Sequence, residues 1–334
     1  MEVVHWIESF IRAFMCLLGI LGNNWLAIRS LPGKKSHLRT NEALFINLAA
    51  SNLITNYMVD LPDTMADFAN RWFLGRFYCG VFRFCSDLSE TSSIFSTLLI
   101  SVFWHQKLVG SLTRGTAPVQ MDNLRLVTTL LVCGWTFAMI FSIPHFFFVS
   151  LETGNQSSGD CIEEFPSAVA RQTYEVMYLT LANAVPIAGI VFASIQIVIT
   201  LLRHQKRIKG MNSDIHNSIA NPLPHRDETT ESTVTNLPDH AESRVQQPLE
   251  APVLRPTKAT SGPSNQVRAA KSVVAVATVF LVCWLTHLLL RITSNVNMSH
   301  VVVEVASYIA ASYTCIIPYI FLHGVKKLSC SCRG

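Results

Sequence analysis

Charge is what this chain has least of. Only 14% of its 334 residues are Asp, Glu, Lys or Arg, against 50% hydrophobic, whereas water-soluble domains carry about 25% charged residues. A chain so poor in charge lives in lipid. Its nine cysteines show no CxxC…CxxC spacing, which argues against a zinc site; they read as one pair plus singles. The first residues lack a basic segment followed by a short apolar core and a small-residue cleavage site. The first apolar run is therefore read as a membrane helix and not as a cleaved signal. Internal repeats and paired broken helices, the marks of a transporter, are missing. His105, His145, His287 and His323 are scattered over different segments, so a membrane hydrolase would have no converging cluster to work with. Residues 301–322 contain no lysine, and with it goes the Schiff base of a retinal-binding pump. The expectation is a non-enzymatic protein with no cofactor, no resident metal and no nucleic-acid partner.

What the chain does have is apolar runs. A helix needs about 20 residues to cross a bilayer, and seven segments qualify: roughly 8–28, 43–65, 79–109, 124–148, 174–202, 270–292 and 301–322. The expected fold class is all-α and integral to the membrane, a seven-transmembrane-helix bundle. Pro62 and Pro186 fall inside spans, where neighbouring groups re-satisfy the carbonyls they free. The third span is the informative one. It is about 30 residues long, enough for a helix of roughly 45 Å, and Arg83, Asp87, Glu90, Ile94, Thr97 and Ser101 share one stripe of it. A stripe polar at one end and apolar below belongs to a helix surrounded by other helices, with a wet cavity at its polar end. Between the fifth and sixth spans, residues 203–269 are rich in Ser, Thr, Asn, Pro and charge. That composition buries too little apolar area to offset its ordering entropy, so disorder is expected. A short tail, 323–334, closes the chain.

Orientation follows from basic residues in the short loops. One side collects Arg29, Lys34, Lys35, Arg39, Lys107, Arg114, Arg125, Arg203, Lys206, Arg207, Lys209, Lys271, Lys326 and Lys327; the other has only Arg71, Arg76 and Arg171, with Arg12 near an edge. The first side is expected to be cytoplasmic, which puts the N-terminus outside and the C-terminus inside. The glycosylation triplets at Asn155 and Asn297 then fall outside. Cys79 and Cys161 fall on the same oxidising side, where a disulfide could persist. It would tether the second outer loop to the top of the third helix.

Several short motifs occur in a telling order. Gly22-Asn23 lies in the first span, Asn47-Leu-Ala-Ala-Ser-Asn52-Leu in the second, and Trp72-x-x-Gly75 before Cys79. Trp135 and Pro186 mark the fourth and fifth, Phe280-Leu-Val-Cys283-Trp284-Leu-Thr286 the sixth, and Ile317-Pro318-Tyr319-Ile320-Phe321 the seventh. Together they resemble the rhodopsin-like G-protein-coupled receptors, over all seven spans but not the third cytoplasmic loop. The departures are as informative. Phe103-Trp104-His105 stands where that family has Asp-Arg-Tyr, Asn52 where it has Asp, and Thr286 where it has Pro. Leu98-Leu-Ile-Ser-Val-Phe103, together with Arg83 and Leu88-Ser89, is similar to vomeronasal type-1 receptors and their fish olfactory relatives. The resemblance implies a plasma-membrane chemosensory receptor that binds a small odorant or pheromone and activates a heterotrimeric G-protein, of inhibitory type. A non-sensory rhodopsin-like receptor for a small molecule is the alternative.

Ionisable residues at membrane depth are functional candidates by default. The expected ligand face is Arg83, Asp87 and Glu90 of the third helix, with Glu175 and Tyr178 of the fifth, Trp284, His287 and Arg291 of the sixth, and Glu304 and Tyr308 of the seventh. Each has a structural reading beside the functional one. Arg83 and Asp87 could form a scaffold pair at i, i+4, Trp284 a core aromatic, His287 an inter-helix hydrogen bond, and Arg291 a snorkelling cation. An acidic or amphiphilic ligand held by Arg83 or Arg291 is favoured at this stage. His105, Lys107, Arg203, Lys206, Arg268 and Lys271 are the expected G-protein face, with attraction to membrane lipids as the other use of such charge. Cys330 and Cys332, just past Lys326-Lys327, are palmitoylation candidates. Asn52 in place of Asp leaves less charge for a sodium ion, so weak sodium sensitivity is expected.

Overall fold

A computed structural model of the chain describes residues 2–32, 37–112, 119–151, 161–220, 263–293, 305, 308–309 and 311–324. They form α1 (Glu2–Ser30), α2 (Thr40–Thr55), a π turn (Asn56–Asp60), α3 (Leu61–Ala69), α4 (Gly75–Leu112), α5 (Leu124–Phe147), a hairpin of β1 (Val149–Leu151) and β2 (Cys161–Glu163), α6 (Ala168–Met177), a second π turn (Tyr178–Ala184), α7 (Val185–Ala220), α8 (Pro263–Thr293) and α9 (Tyr313–Gly324). Six of the expected spans are thus seen whole. The second is α2 and α3 joined by a π turn, and the fifth is α6 and α7 joined the same way. The seventh is described mainly as α9. Two compact units are present: Met1–Leu201 with Pro263–Gly334, and Leu202–Gly262. The second unit is described as far as Ala220 and is helical there, beyond the boundary at 202 expected from composition.

Four of the described helices are long and apolar enough to span by themselves: Trp6–Ser30, Leu124–Phe147, Ala168–Arg207 and Val267–Thr286. The others are more polar because of what they turn towards one another. On α2, Asn47, Ser51, Asn52 and Thr55 recur at helical spacing, and on α4 so do Ser89, Ser92, Ser93 and Ser96. The two rows meet. Asn47 Nδ2 donates to Ser96 Oγ at 2.6 Å, Ser51 and Ser92 share a hydrogen at 2.8 Å, Ser93 Oγ donates to Asn52 Oδ1 at 3.0 Å, and Thr55 Oγ1 donates to Ser89 Oγ at 2.9 Å. Small side chains let the backbones approach, and each such bond in lipid contributes about 0.6 kcal/mol on average. Trp135 of α5 joins by donating to Asn47 Oδ1 at 2.8 Å.

The prolines are handled as membrane helices require. Pro62 cannot donate to Met58, one turn back, and Tyr78 of α4 supplies the missing hydrogen to that carbonyl at 3.4 Å. Pro318 likewise frees Thr314, and Asn23 of α1 donates to it at 2.9 Å. Pro186 follows the π turn at Tyr178–Ala184, where Val185 N–H reaches back to Thr180; the extra residue loosens the turn the ring would otherwise crowd. Gly22 completes the seam between α1 and α9. A Cβ there would come within 2.9 Å of Pro318 and of Tyr319, and Tyr319 Oη donates to Leu18 O at 3.0 Å.

Away from the polar seams the core is apolar, built on Leu44, Phe45, Leu48, Ile94, Ile100, Phe103, Ile190, Ile197, Phe280, Ile317 and Phe321, all under 5% exposed. Large apolar residues such as Phe14, Ile140, Phe147 and Phe192 point outward instead, as a lipid-facing surface demands. Near the Leu112 end of α4, Lys107 Nζ meets both oxygens of Asp122 at 2.6 and 2.7 Å, and Thr40 Oγ1 donates to the Asp122 carbonyl at 3.1 Å. The turn Gln120–Asp122 is thereby fastened to α4 and α2.

Candidate functional site

The Gly75 end of α4 is organised by the hairpin. Val149 pairs with Glu163 and Leu151 with Cys161 in antiparallel register, and Cys161 is bonded to Cys79, with Cα atoms 5.6 Å apart. One turn along, Arg83 Nη2 donates to Cys161 O at 3.0 Å, and its Nη1 lies 3.4 Å from Glu163 Oε1. A further turn brings Asp87, 9% exposed, against His145 of α5, 3% exposed. The other ring nitrogen of His145 lies 3.8 Å from Glu163 Oε2, and Tyr174 Oη donates to Asp87 Oδ2 at 3.4 Å. Arg83, Glu163, His145 and Asp87 therefore form one chain of polar contacts from hairpin to helix bundle. The first two candidates from the sequence sit in this scaffold.

Below it lies a cavity of about 230 Å³, lined by Thr55, Val59 and Asp60 of the second span, Ser86 and Glu90 of α4, Phe280, Cys283 and Trp284 of α8, and Ala311, Tyr313 and Thr314 of the seventh. Glu90 accepts from Tyr178 Oη at 3.3 Å, and Thr91 Oγ1 donates to the same phenol at 3.4 Å. Asp60 Oδ2 accepts from Asn56 Nδ2 at 2.8 Å. None of the described lining residues is basic. Behind Asp60 a smaller space of about 100 Å³ is bounded by Arg12, Cys16, Asp63 and Tyr308. There Arg12 bridges Asp63 at 3.2 Å and Asp67 at 3.1 Å, with its guanidinium 6.0 Å over the Tyr308 ring.

The candidates thus divide. Glu90 and Trp284 line the larger cavity, Tyr178 reaches it through Glu90, and Tyr308 borders the smaller one. Glu175 pairs with Arg171 at 2.9 Å. Of His287 and Arg291 only the backbone, in α8, is described, and Glu304, Asn155, Asn297, Cys330 and Cys332 lie outside the described residues. Towards the other end of the bundle, Phe103 and Trp104 are core residues in edge contact at 5.3 Å. His105 and Lys107 are part-buried there, Arg268 and Lys271 exposed; Arg203 and Lys206 are exposed in the second unit. Sequence reading missed Asp60, and it missed His145 and Glu163 as partners of Asp87 and Arg83. The available hint for Asp60 was its spacing of four from Asn56.

Asn23 is the hub of the polar interior: it takes a hydrogen from Asn52 at 3.0 Å and reaches Asn56 Oδ1 at 3.2 Å and the Thr314 carbonyl. Residues 23–321 fit the model of the seven-transmembrane receptors of the rhodopsin family. The chain belongs to that family. As a receptor of this kind it is a multi-pass protein of the plasma membrane. Similar curated proteins include the mouse formyl peptide receptor-related sequence 4, 31% identical over 50% of each chain. The Xenopus laevis neuropeptide Y receptor type 1 is 28% identical over 60% of this chain and 56% of that one. The Pongo pygmaeus vomeronasal type-1 receptor 4 is 25% identical over 62% of this chain and 69% of its own length. The receptor spans about half the length of the curated relatives named first. In fold it resembles squid rhodopsin, with a TM-score of 0.67, 15% identity, and coverage of 98% of this chain and 84% of that one.

Proposed function

We propose that this receptor is chemosensory, that it binds a small extracellular ligand carrying a cationic centre, and that it activates a heterotrimeric G-protein of inhibitory type. The observation that carries the ligand class is the cavity between the second, fourth, eighth and ninth helices. Asp60 and Glu90 present carboxylates from two different elements, while Phe280, Trp284 and Tyr313 supply aromatic walls. A protonated amine suits both: charge-assisted hydrogen bonds to the acids and cation–π contact with the rings. The acidic or amphiphilic ligand favoured by sequence alone called for Arg83 or Arg291; Arg83 is engaged with Cys161 and Glu163 of the hairpin, and of Arg291 only the backbone is described. The chemosensory reading rests on Phe103-Trp104-His105 and the flanking motif, with the likeness to a vomeronasal type-1 receptor in support. A non-sensory small-molecule receptor is the second reading, and the peptide-receptor relatives favour it.

Activation is a shift between two arrangements, and only the ligand's differential affinity drives it. Trp284 lines the cavity wall, which supports its reading as the residue that registers that difference. The orientation proposed from the basic loops puts the hairpin and cavity towards the outside. The test is expression with an inhibitory or promiscuous G-protein and a panel of amines, acids and steroids. Amines are expected to respond, with Asp60→Asn or Glu90→Gln lowering potency about 10- to 100-fold, since a hydrogen bond to a charged group is worth about 1.5–3 kcal/mol. Acids acting alone, with both variants unchanged and normally displayed, would refute the ligand class. Arg291→Ala in parallel tests the acidic alternative.

A further inference from the structure

A third concavity lies on the flank of α9, far along the chain from the cavity residues of α4. Its volume is about 640 Å³. Its floor is α9, and α1 and α8 form its walls because both approach α9 closely. Gly22 abuts Pro318 and Tyr319 on one side, and Gly324 abuts Ser272 on the other. The two halves of the groove differ in chemistry. Leu18, Ala275, Ile316 and Tyr319 make an apolar trough, and Ile316 and Tyr319 are 39% and 37% exposed. At its end stand Arg268, Lys271 and His323, all exposed. The Arg268 guanidinium already donates to the His323 carbonyl, which holds it at the rim. No carboxylate is among the described lining residues.

We propose that this groove holds one anionic phospholipid, with its acyl chain along the trough and its phosphate between Arg268 and Lys271. The argument is charge complementarity joined to position. An apolar trough open on the flank of a membrane bundle faces acyl chains, and paired cations at its end match a phosphate. Neither half alone selects such a molecule: a bulk lipid would not need the cations, and a free phosphate would not need the trough. Since α8 and α9 both contribute, an occupant bridging them stabilises whichever packing of α8 keeps the groove intact. Arg268 and Lys271, expected from sequence to face a G-protein, would then act on signalling through the lipid.

The test uses the full receptor, purified and placed in nanodiscs of phosphatidylcholine alone or phosphatidylcholine with phosphatidylserine. Nanodiscs expose both leaflets, so the result does not depend on the proposed orientation or ligand. A photoreactive phosphatidylserine is expected to label the peptide containing α9, and unlabelled phosphatidylserine to compete. Arg268→Gln and Lys271→Gln should each weaken that competition about fivefold, the effect of one basic residue near an anionic surface. Ile316→Trp, which fills the trough and leaves the cations, should abolish labelling of α9 while the disulfide-dependent outer hairpin stays folded by limited proteolysis. Labelling spread evenly over the lipid-facing helices would overturn the proposal. So would competition by inorganic phosphate equal to that by phosphatidylserine, or a G-protein peptide displaced by Lys271→Gln with lipid labelling unaffected.

Discussion

The contact between Asp87 and His145 makes a prediction that separates scaffold from ligand site. Both groups are almost fully buried, at 9% and 3% exposure, and the contact is an ion pair when the imidazole is protonated. Asp87→Leu would strand the histidine, whose remaining acid is Glu163 at 3.8 Å. Tyr174 would lose its 3.4 Å bond to Asp87 and keep the Phe141 carbonyl. Removing one member of a buried pair costs about 3–5 kcal/mol because the other is left uncompensated. At about 2.1 cal/mol/K of unfolding entropy per residue, a chain of this size shifts by roughly 1.4 °C per kcal/mol, so Asp87→Leu and His145→Phe should each lower the melting temperature by roughly 4–7 °C. The double variant should recover most of that loss, since an apolar pair of similar volume replaces the polar one at little net cost. A thermal melt of purified receptor in nanodiscs measures all four corners of the cycle. Single variants within about 2 °C of the parent, or losses that simply add, would refute a coupled scaffold pair. If instead Asp87→Leu leaves the melt alone and shifts agonist potency, Asp87 is a ligand contact.

Asn47→Leu removes the acceptor for Trp135 and the donor to Ser96; a loss of about 1–2 kcal/mol is expected, given up to about 1.7 kcal/mol for strong interhelical bonds in lipid. No loss in the same melt would show that these two bonds are replaced in the unfolded state. Sodium should not inhibit agonist binding beyond matched potassium, because Asn52 offers an amide already bonded to Asn23 and Ser93; Asn52→Asp should introduce that sensitivity, and its presence in the parent would refute the reasoning. Lys107→Met breaks the Lys107–Asp122 pair, whose members are 30% and 47% exposed, so the stability change should stay within about 1 kcal/mol and shrink in high salt. A larger, salt-independent loss would mean that the pair is shielded.

The spans were legible because hydrophobic length is a local property, and so were landmarks such as Cys79, Trp135 and Pro186. The polar seam between α2 and α4 was half legible. Asn47, Asn52 and the serines of α4 are plain in the sequence, but which serine meets which amide depends on the register between two helices. Partners across the fold were not legible at all. Asp87 has Arg83 four residues away as its obvious mate, yet the hairpin brings Glu163 to Arg83 and α5 brings His145 to Asp87. The disulfide decides this, by fixing β2 over α4, and a reading by helical neighbours cannot anticipate what a loop carries in from afar.

Asp60 shows a subtler limit. On a regular helix a step of four residues turns about 40° past a full circle, so two steps carry Asp60 about 80° from Asn52 and away from the bundle axis. The π turn at Asn56–Asp60 has more residues per turn and takes that drift back. Leu61 N–H reaches five residues, to Asn56 O, in the turn just before Pro62. Asn52, Asn56 and Asp60 then run down one inward line, ending at the wall between the two cavities. The same proline that forces the Met58 carbonyl to find Tyr78 therefore sits at the point where the register changes and a carboxylate faces the cavity. Periodicity read with a fixed period would place Asp60 off the bundle axis. Proline in a span is a reason to let the period change, and here that change moves an acid from the flank of the helix into the candidate site.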